Sequence, residues 1–120
     1  MSKNQSAKRQ AIHQELLKLA KARGLTETQR FPSYKEFGEP RGWWDLRGAG
    51  GLLNDIWAEC RQHNLPDVTI LLRRKDTRRP SMLNGVHVGK RKLTSAEEQY
   101  LHDETQRLID LYCPRTPNPY

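Results

Sequence analysis

Apolar side chains recur at helical spacing in three stretches of this chain. Ile12, Leu16, Leu19 and Ala20 share one face, with Leu17 beside them and Gly24 as a stop, which predicts a helix over residues 6–23. Leu52, Leu53, Ile56, Trp57 and Cys60 form the stripe of a second long helix over 50–63, closed by Asn64-Leu65-Pro66. Thr94 followed three residues later by Glu97 is a capping box, and Leu101, Thr105, Leu108 and Tyr112 carry a third stripe, with Ile109 alongside. Between the first two, Ser33 can cap a short helix through Phe37 that Gly38 ends, and Pro40 and Gly42 force a turn.

The pattern changes after Pro66. Residues 68–73, Val-Thr-Ile-Leu-Leu-Arg, are short and rich in β-branched side chains, which predicts a buried strand. Met82 to Val88, interrupted by Asn84-Gly85, reads as a returning strand across a charged loop, 74–81. The expected order is therefore helix, short helix, helix, hairpin, helix. That order predicts an α+β fold, a small winged-helix-like domain of three helices, a β-hairpin and a C-terminal helix. A single domain over 1–112 is expected, with 113–120, which holds three prolines, as a flexible Pro-rich tail.

Charge sharpens this outline. Residues 73–92 hold eight Lys or Arg (Arg73, Arg74, Lys75, Arg78, Arg79, Lys90, Arg91, Lys92) against Asp76 alone. The formal net charge of the whole chain is +7, so the other hundred residues cancel to zero. A cationic surface of this kind answers a polyanion, and arginine forks suit phosphates and base edges. The expected partner is nucleic acid, DNA in the first instance, met by the hairpin as a wing. The long helix 50–63 suits a duplex poorly, since Asp55 and Glu59 would oppose phosphates. Its entrance, Arg47-Gly48-Ala49-Gly50-Gly51, offers open N–H groups to an anion with Arg47 ahead of them, or else a tight turn packed on Trp43 and Trp44. Trp57 is expected in the core, and one of Trp43 and Trp44 outside, as a stacking platform or a protein anchor.

Residues 33–53, S-Y-K-E-F-G-E-P-R-G-W-W-D-L-R-G-A-G-G-L-L, resemble the helix-turn-helix of the alkyltransferase-like DNA-binding proteins. The resemblance implies that Tyr34 presses on a phosphate and that Arg47 fills the gap left by a flipped base. The family's Pro-Cys-His-Arg-Val segment has only L-P-D-V-T-I-L-L as a counterpart, with Asp67 where the sulfur would be, so no alkyl transfer is implied.

Other classes are weaker. No apolar run approaches the roughly 18 residues of a membrane span. The start of the chain lacks the apolar stretch of a secretory signal, so a cytoplasmic protein of bacterial or phage origin is expected. Cys60 and Cys113 follow no CxxC spacing and read as reduced thiols, and no metal or cofactor motif is present. His87 near Asn84, or His102 beside Asp103, would be the histidine of a small ribonuclease toxin. A small phage-type inhibitor that binds a protein or nucleoprotein complex is the other alternative. The acidic outer face of the last helix could also pair with the basic first helix of a second copy, giving a homodimer.

Overall fold

The computed structural model describes residues 3–43, 46 and 51–120 (the backbone alone for 3–5). Among them the chain forms five helices: α1 (Lys3–Lys21), α2 (Glu27–Arg30), α3 (Tyr34–Gly38), α4 (Leu52–Gln62) and α5 (Ser95–Tyr112). One antiparallel two-stranded sheet joins β1 (Met82–Leu83) to β2 (Val86–His87), so the architecture is α+β. Capping boxes open α2, α3 and α5, in each case a Thr or Ser hydroxyl accepting from the third helical N–H while that residue's side chain accepts from the cap N–H. The Thr26–Gln29 box sets α2, a turn of helix that apolar periodicity alone passes over because none of its residues is apolar.

α1 packs against α4, α5 and the turn at 68–71. Ile12 and Leu16 from α1, Ile56 from α4, Val68, Ile70 and Leu72 from the central segment, and Leu101 from α5 are fully buried together. The open end of α1 is closed by a side chain from elsewhere. Buried Arg30 donates to the carbonyls of Ala20 at 3.1 Å and Ala22 at 2.6 Å, groups a helix end leaves without intrahelical donors.

Residues 68–71 are not a strand but a turn of 3-10 helix. Asp67 Oδ1 accepts from Thr69 N–H at 3.0 Å and from Thr69 Oγ1 at 2.5 Å, which winds the chain at once. All four residues of the turn are buried, so their β-branched composition reports burial and not an extended backbone. Only Arg73 makes a sheet-like contact. Its N–H donates to Pro32 O at 3.0 Å and its carbonyl accepts from Tyr34 N–H at 3.2 Å, a parallel bridge.

The expected long hairpin is therefore replaced by a tight one, Met82 opposite His87 and Leu83 opposite Val86. Asn84 (φ 52°) and Gly85 (φ 78°) supply the two left-handed residues that a two-residue hairpin turn needs. A Cβ on Gly85 would lie 2.7 Å from the Trp57 ring. Trp57 is thus half-buried as the cover of this turn, where the sequence placed it in the core. The last eight residues, expected as a flexible tail, make contacts with α5. Cys113 is buried, and Asn118 Nδ2 donates to His102 O at 3.1 Å and to Gln106 Oε1 at 3.3 Å.

Gly85→Ala should cost about 1–3 kcal/mol of stability, from the left-handed backbone and the collision with Trp57 together. Urea unfolding measures it, and a loss below about 0.5 kcal/mol, the range of neutral surface changes, would show that the indole does not bear on this turn.

Candidate nucleic-acid interface

The basic residues sit on two loops that share a base. In the first, Arg74 N–H donates to Arg79 O at 2.8 Å and Arg78 N–H to Arg74 O at 3.0 Å, closing a turn over 74–79. Asp76 sits in this turn as its acceptor, taking Nε and Nη2 of Arg74 at 2.9 and 2.8 Å and Thr77 N–H at 2.8 Å. The Arg74 fork, above all, holds the Asp76 carboxyl down at about 2. Two residues on, Ser81 O accepts from Val88 N–H and Gly89 N–H, both at 2.9 Å, so the second loop, 89–92, starts beside the end of the first. Both loops then fasten to the opening turn of α5, on adjacent glutamates. Arg79 Nε donates to Glu98 at 3.0 Å, and Arg91 forks onto Glu97 with both bonds at 2.8 Å. Acids there also suit the positive end of the helix.

This arrangement sorts the residues that the sequence nominated. Lys75, Lys90 and Lys92 are exposed, and none takes part in an ion pair among the described residues. Arg74, Arg79 and Arg91 are at the surface but paired as above. Arg78 is half-buried and donates from Nη2 to Phe31 O at 2.7 Å. Two nominated residues, expected at the surface, are buried in this structure. Arg73 has no exposed surface, because its parallel bridge to Ser33 turns its side chain into the protein. Tyr34 is buried as well, and its hydroxyl accepts from Ser81 N–H at 2.8 Å, which ties α3 to the shared base of the loops and withdraws the phenol from any phosphate. Trp44, Arg47, Gly48, Ala49 and Gly50 lie outside the described residues.

Folding also dilutes the charge. Seven loop cations (74, 75, 78, 79, 90, 91, 92) meet four acids, Asp76, Glu97, Glu98 and, through its field on Arg78 and Lys75, Glu36. An excess of three remains. Exposed ion pairs are weak and screened by salt, so a phosphate can replace a carboxylate in them. The acidic face of α5 is partly engaged within the chain in the same way, with Glu97 and Glu98 on the loops and Asp103 and Asp110 on Gln99 and Gln106. On α4, Glu59 is taken by Arg9 of α1.

One polar cluster has no signature in the sequence. Trp57, Arg61, Asn64, Tyr100 and Arg107 rim a cavity of about 300 Å³. Asp67 and Glu104 sit against it. Buried Asp67 accepts from Tyr100 Oη at 2.8 Å, its own N–H donates to Glu104 at 3.2 Å, and Glu104 accepts from Arg107 at 2.9 Å. Burial pushes the Asp67 carboxyl up, and burial together with Asp67 pushes the Tyr100 phenol up. Every carboxylate here is engaged, and the cluster fastens the 64–69 turn to α5. Its members lie too far apart in sequence for any spacing to announce them.

Cys60 Sγ lies 3.9 Å from His13 Nε2, and His13 Nδ1 lies 3.8 Å from Glu59, an order that imitates a nucleophile, a base and its orienting acid. Yet Cys60 is buried and its thiol is pushed up to about 11, chiefly by desolvation, while burial lowers His13. A thiol so held stays protonated and shut away from substrate. Of the histidines proposed for a ribonuclease, His87 is exposed on β2 and His102 pairs with Asp103 at 3.2 Å on α5; no hydrogen bond joins them. Among the described residues no group of three or more His, Cys, Asp or Glu is placed to hold a metal, and no helix is long and apolar enough to cross a membrane.

Glu97 is held down at about 2, first by Arg91 and then by Thr94 N–H. A carboxyl lowered on folding adds stability that is complete above its unfolded value, near ~4.3, and that fades as pH falls through about 2. In Arg91→Ala the Glu97 titration followed by NMR should move up toward the ordinary carboxylate range; an unmoved titration would mean that the cap N–H alone sets it. No protein-family model matches the chain, and neither does any curated protein or solved structure.

Proposed function

We propose that this chain is a non-enzymatic nucleic-acid-binding protein, with DNA as the first candidate, and that the loops 74–79 and 89–92 track the phosphate backbone. The observation that carries this reading is the confinement of the whole net charge of +7 to residues 73–92 in an otherwise neutral chain. The shared base at Ser81 adds to it, because it starts the second basic loop beside the end of the first. Lys75, Lys90 and Lys92 are the primary phosphate contacts in this proposal. Arg74, Arg79 and Arg91 join them by exchanging a carboxylate for a phosphate oxygen.

The winged-helix-like layout is part of the same proposal. The bridge at Ser33 before α3, the following α4, and the return through Arg73 to the 74–79 turn would make that turn the wing. Its recognition helix would be α4, whose Asn54, Gln62 and Arg61 are exposed. Backbone contact without strong base reading is the behaviour expected of such a surface, so sequence preference should be slight.

Exchanging Lys75, Lys90 and Lys92 together for Ala tests this. None is buried, so the fold should be unaffected. Gel shifts titrated with salt on random duplex, single-stranded DNA and RNA should show weaker binding and a slope of log K against log salt shallower by about 2–3, near 0.9 for each lost duplex phosphate contact. If the unaltered protein shifts none of the three at about 50 mM salt, where such electrostatic binding is strongest, the reading fails.

A further inference from the structure

Arg73 is the largest fully buried side chain among the described residues, and none of their carboxylates forms an ion pair with it. A charge in that position ordinarily has an acid beside it, because desolvation is otherwise uncompensated. Its Nε donates to Ile70 O at 2.7 Å, and its Nη1 to Arg78 O at 3.3 Å and to the hydroxyl of Tyr120. Its Nη2 is buried with no acceptor. Instead of an acid, the guanidinium has aromatic faces, Phe31 at 4.3 Å and Tyr120 at 4.8 Å. The Tyr120 ring carries a second guanidinium, Arg79, at 5.2 Å. Desolvation first, and Arg79 among the charges, bring the Arg73 pKa down to about 10.

We propose that the Tyr120 ring is the removable occupant of a slot that takes one unpaired nucleobase of a bound single strand. The proposal rests on the nucleic-acid reading above and deepens it, since Arg79 belongs to the first basic loop. A nucleobase is a flat ring with faces that guanidinium groups stack on, as the phenol is. Unlike the phenol it brings a phosphate, an anion that Arg73 lacks at its vacant Nη2 edge and that Arg79 would take in exchange for Glu98.

Arg73, Arg79 and Phe31 contact the ring, but the segment that carries it is lightly held. Residues 114–120 make no backbone–backbone hydrogen bond to the rest of the described chain. Pro114, Pro117 and Pro119 have no N–H to donate, and all three are exposed. The strap is pinned instead by Asn118 to His102 O and Gln106, and by Thr116 Oγ1 to Cys113 Sγ at 3.2 Å. Segments with few buried contacts open at low free-energy cost, so a ligand can compete for the slot.

The test measures fluorescence anisotropy of a labelled oligothymidylate of about twelve nucleotides, within the usual span of single-strand grooves, beside a duplex of equal length. Tyr120→Ala empties the slot. Asn118→Ala loosens the strap and leaves Tyr120, Arg73 and Arg79 in place. If the strap is closed about nine-tenths of the time, removing the competitor raises single-strand affinity about tenfold, because apparent affinity scales with the open fraction. Asn118→Ala should move in the same direction by less, duplex affinity should stay level, and Tyr120→Phe, which keeps the ring but loses the bond from Arg73, should fall between the unaltered protein and Tyr120→Ala. Single-strand affinity that is unchanged or weaker in both Ala variants, with helical circular dichroism retained, overturns the slot while backbone binding stands. Absence of binding to either probe by every form overturns the nucleic-acid reading and the slot with it.

Discussion

Arg73 holds together four parts of this protein that would otherwise meet only at their edges. Its backbone bridges the chain just before α3, and its side chain reaches Ile70 in the 3-10 turn, Arg78 in the basic loop, and the rings of Phe31 and Tyr120. A guanidinium can do this because its donors radiate in one plane while both faces remain free for aromatic contact. An aliphatic residue of the same volume could fill the space, but it would take a donor away from the carbonyls of Ile70 and Arg78 and from the Tyr120 hydroxyl. The basic loop therefore grows out of the core, and its first cation is an internal support for the ones that follow.

The surface charge follows from that anchoring. Once Arg73 is inside and Tyr34 is bonded to Ser81, the two cationic loops rise from a common base and meet α5 at Glu97 and Glu98. Those glutamates serve the helix opening and restrain the arginines at the same time. The lysines are left without such partners. A lysine on a flexible stem can follow a phosphate backbone as a point charge, whereas the paired arginines have to exchange one anion for another. The proposed interface thus has a ready set and a reserve set of cations, and the slot beneath Tyr120 lies where the reserve set meets the core.

Local chemistry was legible in the chain. The cap at Ser33, the box at Thr94–Glu97, the stripes of α1, α4 and α5, and the Asn84-Gly85 turn all depend on residues within four positions of one another. The β-branched run at 68–71 misled because burial and extension favour the same side chains, and Asp67 decided between them by capping the turn. Trp57 misled for a related reason: its place on an apolar stripe pointed inward, but the glycine it covers, Gly85, belongs to a hairpin twenty-eight residues on in the chain.

Sequence by itself determined the helix boundaries set by caps, the positions of the tight turns and the total charge with its confinement to one segment, since each is a property of neighbours along the chain. Tertiary structure alone decided which cations face water, which carboxylates restrain them, and that Tyr120 would lie between two guanidinium groups. Those outcomes depend on contacts between residues tens of positions apart, where desolvation and packing act on distances that the linear order does not contain.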